Sequence, residues 1–160
     1  MVDEALRRKD VNMTTNVKLM VVFSKILNVF HMSLAKNLDE LGMNSSMYII
    51  LAHLNEVGQA RTQKLGEIAM ITSGTITHMV NKMLKAAFVD KVQDEEDKRV
   101  FWIKITDSGR HAFSRVDEAH MVYLDALLED FTEEEKKLLI EQMKHFGKKV
   151  NEKGKLLEIK

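Results

Sequence analysis

The chain contains no cysteine and no proline in 160 residues, and its 24 basic side chains are matched by 24 acidic ones. The missing cysteines exclude disulfides, thiolate zinc sites and any cysteine redox switch. The missing prolines leave every helical pattern free to run without the break a pyrrolidine ring imposes. No uninterrupted apolar run approaches the ~20 residues that span a bilayer. The mixed charges of Asp3, Glu4, Arg7, Arg8, Lys9 and Asp10 are not followed by a signal-peptide core. A soluble cytoplasmic protein with no membrane partner is therefore expected. Glycine-rich phosphate loops, nucleophile motifs and paired-carboxylate patterns are also lacking. No enzyme and no cofactor are expected.

Zero net charge argues mildly against nucleic acid, where affinity rests largely on phosphate neutralisation. The charge is arranged rather than absent. Residues 61–110 hold nine Lys/Arg against seven Asp/Glu, whereas residues 111–160 hold nine against eleven. With 45% hydrophobic residues the chain can bury the core of one domain or of a small module with helical extensions.

The apolar periodicity is helical over most of the length. Met20, Phe23, Leu27, Phe30, Leu34 and Leu41, with Leu38 and Asn37 alongside, predict a long amphipathic helix from about Thr15 to Leu41, stopped at Gly42. Asn44 is a candidate N-cap for a helix buried through Met47, Ile50, Leu51 and Leu54 and ended by Gly58. Thr62 is expected to cap a short helix with Leu65, Ile68 and Ala69 inward. After a turn at Met70 and Ile71, Thr72 caps a third, with Ile76, Met79, Val80 and Met83 at core spacing.

The pattern then changes. Asp94–Thr106 begins with a charged, turn-forming tip ending in Lys98 and Arg99, then alternates with period two. Phe101, Ile103 and Ile105 face one way, Val100, Trp102 and Lys104 the other. Val89–Gln93 supplies the partner strand. Two short helices followed by a hairpin with a cationic tip is the layout of a winged DNA-binding module.

Beyond it, Thr106 and Asp107 start a helix with the seam Phe113, Val116, His120, Tyr123 and Leu127. A break follows at Phe131 and Thr132. A capping box, Thr132-Glu133-Glu134-Glu135, opens a last helix carrying Leu139, Met143, Phe146 and Val150, with fraying expected from Asn151 past Gly154. The terminal seams are longer than a compact central core needs, so a homodimer is expected over a monomeric bundle closing on itself.

This order of elements resembles the MarR family of bacterial transcriptional regulators over nearly the whole chain. The resemblance is carried by the wing motif Asp97-Lys98-Arg99 followed by Ile105-Thr106-Asp107-Ser108-Gly109, and by Thr72–Met83 as the recognition helix. It implies a mainly α fold with a small β-wing, a winged helix-turn-helix flanked by N- and C-terminal dimerisation helices. The implied divisions are an N-terminal helix in 1–41, a DNA-binding domain in 42–106 and dimerisation helices in 107–160. Two departures stand out. Met70 occupies a turn that is often glycine, and Lys85-Ala86-Ala87-Phe88-Val89 replaces a Lys-Gly-Leu ending. Alanine tolerates a left-handed cap worse than glycine by about 1 kcal/mol, so a relaxed turn or a changed helix-to-wing angle is expected.

The residues expected to meet DNA follow from that frame. Ser73, Gly74, Thr75, Thr77, His78, Asn81 and Lys82 form the recognition-helix set, sized for the major groove. Gly74 lets backbone approach phosphate; Thr77 suits a thymine methyl or a base acceptor. Asn81 reaches adenine or phosphate, His78 donates one or two bonds, and Lys82 positions on phosphate. Arg99 is expected in the minor groove. The resemblance suggests that Asp97 pairs with it and orients it, and Lys98 is expected to add a phosphate contact. Asp94, Glu95 and Glu96 are expected to point away from DNA or to limit nonspecific affinity. The implied partners are a pseudo-palindromic double-stranded operator, a second copy of the chain and, as in relatives, a small aromatic or lipophilic effector that nothing in the sequence identifies. Repression is the commonest role in the family. Peroxide sensing by cysteine is unavailable. The six histidines (His31, His53, His78, His111, His120 and His145) form no local metal motif, although a folded cluster at His111 or His120 stays open. Near-neutral charge and the acidic approach to the wing keep a second reading alive, a winged-helix protein-interaction module without DNA binding.

Overall fold

The computed structural model describes residues 14–158; the charged stretch from Asp3 to Asp10, and with it the start of the expected 1–41 segment, lies outside them. The described elements run α1 (Thr15–Glu40), α2 (Ser45–Val57), β1 (Gln59–Arg61), α3 (Thr62–Ile68), α4 (Ser73–Lys85), β2 (Val89–Gln93), β3 (Phe101–Ile105), α5 (Asp107–Leu127) and α6 (Glu133–Glu158). The chain is mainly α with a small antiparallel sheet in the order β1-β3-β2. It divides into two compact units, one ending at His120 and one beginning at Met121.

In the first unit, helix termini are set by the side chains the sequence singles out. Asn44 caps α2, its Oδ1 accepting the Met47 amide at 2.9 Å. Gly58 ends that helix at φ 82°, a left-handed conformation that glycine adopts without strain. Thr72 caps α4 by accepting the Thr75 amide. The core gathers Ile50, Leu51 and Leu54 of α2, Leu65 of α3, Met83 of α4, Val89 of β2 and Ile103 of β3, all essentially fully buried. Each contributes roughly 2 kcal/mol by removal of its side chain from water. The buried positions match the predicted stripes of α2 and α4.

Several expectations change. A third strand, β1, joins the hairpin, with Ala60 opposite Ile103 and Arg61 opposite Trp102. Because Arg61 closes that strand and is itself the N-cap, Thr62 is the first residue of α3 rather than its cap. Ile68 is half-buried, while Leu65 and Ala69 are buried. Phe101 lies on the predicted side of β3 but stays exposed, because the hairpin outruns the core beyond Ile103. Neither unusual turn relaxes: Met70 and Ala87 hold φ 52° and φ 57°.

Among the described residues α1 alone is long and apolar enough to cross a membrane by length and composition, with mean hydropathy 1.4 over one window. This differs from the sequence expectation, which counted uninterrupted runs. Lys18, Lys25, Asn28 and His31 interrupt its apolar positions. Leu38 is its one buried residue, and Met20, Leu27 and Phe30 remain exposed.

In the second unit α6 opens on the predicted capping box. The Glu135 carboxylate accepts the Thr132 amide at 2.8 Å, and Thr132 Oγ1 accepts the Glu135 amide at 3.3 Å. The Thr132 amide and then the Thr132 hydroxyl, both donating to the Glu135 carboxylate, hold that carboxyl below its usual range. The helix does not fray at Asn151. It continues through Gly147 and Gly154 to Glu158, since each interior glycine costs only about 1 kcal/mol in a run of good helix formers. Leu139, Met143 and Val150 on its seam are exposed, and Phe146 is half-buried.

Candidate nucleic-acid interface

α3 and α4 form the helix-turn-helix. The turn between them is closed by the Ile71 amide donating to the Gly66 carbonyl at 3.0 Å, and Gly66 packs against the Ile76 side chain. With Ile76, Met79, Val80 and Met83 buried, the opposite face of α4 is fixed outward. Ser73, Gly74, Thr75, Thr77, His78, Asn81 and Lys82 are all exposed on it. The helix contains no acidic residue and carries Lys82 and Lys85 in its last turn. His78, Asn81, Lys82, Leu84 and Lys85 line a shallow depression.

The local bonds decide what this face can offer. Thr77 Oγ1 donates to the Ser73 carbonyl at 3.0 Å, which engages its proton and leaves the methyl group and the remaining acceptor capacity of this exposed side chain for a partner. Thr75 Oγ1 lies 2.9 Å from Thr72 Oγ1 and is drawn back to the cap. A β-carbon at Gly74 would meet nothing within 4 Å, so packing does not require glycine there. A close backbone approach by a partner would.

The wing joins this face through a tight turn. The Phe88 amide donates to Met83 O at 2.9 Å, and Thr106 bolts the base of the hairpin. Its amide donates to Phe88 O, its hydroxyl donates to Ala87 O at 2.7 Å, and the same oxygen accepts the Gly109 amide at 3.0 Å. The Ile105-Thr106-Asp107-Ser108-Gly109 motif is thus a splice between strand and helix.

At the tip, Asp97, Lys98 and Arg99 are exposed. Asp97 does stiffen the turn, but its Oδ1 accepts the Arg99 backbone amide at 3.0 Å, so the bond orients the backbone rather than the guanidinium. Lys98 Nζ donates to Asp94 O at 3.2 Å, and Gln93 Nε2 donates to Lys98 O at 2.7 Å. The residue that sequence reasoning undervalued is Asp94. Its Oδ1 accepts the Glu96 and Asp97 amides, and its Oδ2 accepts Trp102 Nε1 at 2.7 Å. These bonds, the indole's first, hold its carboxyl below the usual range. Arg61 lies over the Trp102 ring at 5.3 Å, and Lys91 over Phe101 at 4.2 Å. An aspartate opening a four-residue turn, eight positions before a lone tryptophan, was the available signal.

The histidines raised as ligand candidates are engaged otherwise. His111 Nδ1 bonds the Asp107 carbonyl of its own helix at 2.8 Å. His120 is buried, with Nδ1 2.7 Å from Asn37 Oδ1 and its ring edge-on to Tyr48. Burial pulls its pKa down, against the opposing pull of Asp117. Burial, and then the hydrogen bond to Asp117, pushes the Tyr48 hydroxyl up. Among the described residues no group of three or more His, Asp or Glu side chains could hold a metal ion.

Comparison with known proteins agrees with this geometry. The chain is 24% identical over 132 residues to the HTH-type transcriptional regulator MhqR of Bacillus subtilis, covering 82% of this chain and 91% of the relative. It is 27% identical over 109 residues to SarZ of Staphylococcus epidermidis, covering 68% and 72%. Among solved structures, a MarR-like regulator from Bacillus cereus superposes with TM-score 0.75 at 20% identity, over 84% of this chain and 97% of that one. Sco3205 of Streptomyces coelicolor, a MarR family regulator solved in complex with DNA, superposes with TM-score 0.73 at 24% identity, over 89% and 93%. A family profile described as transcriptional regulator SarA/Rot matches residues 33–116, more than half of the chain. The protein belongs to this SarA/Rot family of transcriptional regulators and is built on the MarR-type winged-helix fold.

Proposed function

We propose that the protein is a non-enzymatic, homodimeric regulator that reads a pseudo-palindromic duplex operator in the cytoplasm and represses by occupying it. In this reading residues 42–106 form the DNA-reading module. Helices within 1–41 and 107–160 join two copies. The observation that carries it is the acid-free, fully exposed outer face of α4, fixed by the burial of Ile76, Met79, Val80 and Met83 on the other side. Ser73, Gly74, Thr75, Thr77, His78, Asn81 and Lys82 enter the major groove, with Thr77 and Asn81 at base edges and Lys82 on phosphate. Asp97 and Lys98 shape and support the tip, and Arg99 enters the adjacent minor groove.

The dimer half of the proposal rests on α1, where Met20 is 61% exposed, Leu27 47% and Phe30 38% in the single chain. An apolar stripe of that size calls for a partner surface, and twofold pairing supplies two reading heads about one helical turn apart. A small aromatic or lipophilic effector acts by favouring one spacing of those heads over another.

Selection of bound sequences from a random duplex pool tests the reading. A palindromic consensus and a steep inverse salt dependence are the expected results. Arg99→Ala is expected to weaken binding at least about tenfold with the dimer intact. A flat selection with no salt-dependent binding at low salt would favour the protein-interaction module instead.

A further inference from the structure

The wing contains a set of contacts that DNA reading does not by itself require. Arg61 closes β1 and is the N-cap of α3, so it belongs to the helix-turn-helix. It pairs in register with Trp102 of β3, and its guanidinium lies over that indole ring. The indole N–H donates to Asp94 Oδ2, and Asp94 Oδ1 gathers the amides of Glu96 and Asp97. Asp97 in turn holds the Arg99 amide. One continuous line of contacts therefore runs from the first helix of the helix-turn-helix to the wing tip. The tip itself has no apolar anchor, since residues 95–99 are all exposed. Besides the Gln93 side-chain bond to Lys98 O and the Asp94 amide bond to Val100 O, what ties the tip to the face of the sheet is the Asp94 carboxylate.

We propose that Asp94 and Trp102 are positioning residues for DNA binding: their bond, backed by Arg61, locks the wing tip to the sheet so that Arg99 is presented in register with α4. The proposal rests on the wing reading given under Proposed function. Asp94 faces the indole and the tip amides, so its carboxylate is spent internally rather than opposing phosphate. The geometry separates two parts of its job. Oδ1 makes the turn, and Oδ2 ties the turn to the sheet.

That separation defines the test. Asp94→Asn can keep one oxygen for the two amides while turning an NH2 group toward the indole N–H. Trp102→Phe keeps a smaller aromatic face for Arg61 and removes the N–H. Affinity is measured for a mixed-sequence duplex of about 30 base pairs, long enough for two half-sites one helical turn apart. Urea unfolding of each variant confirms the fold. Asp94→Asn and Trp102→Phe are expected to weaken binding to a similar extent, about five- to tenfold, and the double variant no further than either alone. In an Arg99→Ala background neither change is expected to weaken binding further, because both act through Arg99. Trp102 is the only tryptophan, so the emission reports the surroundings of this one indole. Duplex binding is expected to shift it in the wild type and not in Arg99→Ala. A variant that fails to fold is replaced by the other, since each removes the same bond from opposite ends. Wild-type affinity in both, with Arg99→Ala weakened, overturns the positioning role and leaves the wing reading standing. Wild-type affinity in Arg99→Ala overturns the wing reading, and the positioning role with it.

Discussion

Gly109 of α5 packs so closely on the Phe88 carbonyl that a β-carbon built there would overlap the oxygen. The glycine of the Thr-x-x-Gly motif is thus required by contact, at the point where the wing returns to the helical body. Gly109→Ala is expected to destabilise the protein by about 3 kcal/mol, at the upper end for overpacking, because the obstacle is backbone rather than a flexible side chain. The urea midpoint measures it. A loss under about 1 kcal/mol would mean that the splice between α5 and the wing base gives way easily.

Met70 and Ala87 carry the opposite liability. Both hold left-handed backbone with a β-carbon present, at φ 52° and φ 57°. Met70→Gly and Ala87→Gly are each expected to raise stability by about 1 kcal/mol, less what glycine adds to the unfolded chain's entropy. Chemical unfolding at matched slopes decides it, and a destabilised Ala87→Gly would show that the turn is not strained.

Acid sensitivity follows from His120, which is packed against Asn37, Tyr48 and Asp117. Burial holds its pKa below the ordinary value. The unfolded chain therefore takes up a proton near pH ~6.5 before the folded chain does, so stability is fully present above that pH and falls as pH drops through it. His120→Gln is expected to flatten that part of the stability profile. An unchanged slope would move the acid-sensitive group elsewhere.

On the reading face, the Thr77 hydroxyl proton is committed to Ser73. Its methyl is then the part left to meet a thymine. Thr77→Val is expected to keep affinity for a selected site, while Thr77→Ser loses about fourfold, roughly the worth of one buried methyl group. The reverse order would assign the contact to the oxygen.

The dimer has its own check. Leu27→Glu and Phe30→Glu place charges in the exposed stripe of α1 and are expected to give folded monomers in sedimentation, with much weaker duplex binding. A dimer that survives both changes would put the interface elsewhere.

Periodicity and capping chemistry made most of the helices legible. The stripes Met47/Ile50/Leu51/Leu54 and Ile76/Met79/Val80/Met83 are buried as their spacing predicts, and Asn44, Thr72 and Thr132 cap where their side chains suggest. β1 was not legible, since three residues with one buried alanine carry too little pattern to distinguish a strand from a loop. The persistence of α6 past Asn151 was missed because local polarity was weighed above helix propagation.

The sequence alone determined which residues could face solvent on α4, since four buried positions at helical spacing leave only one outward face. It also determined that the tip would be charged and turn-forming. Only the tertiary structure decided what Asp94 does with its charge, because its partner Trp102 comes into reach through strand pairing, and Arg61 arrives from a strand with no readable signal of its own. Spacing along a chain specifies faces, whereas contacts between elements far apart in sequence depend on register, which exists only once the sheet has formed.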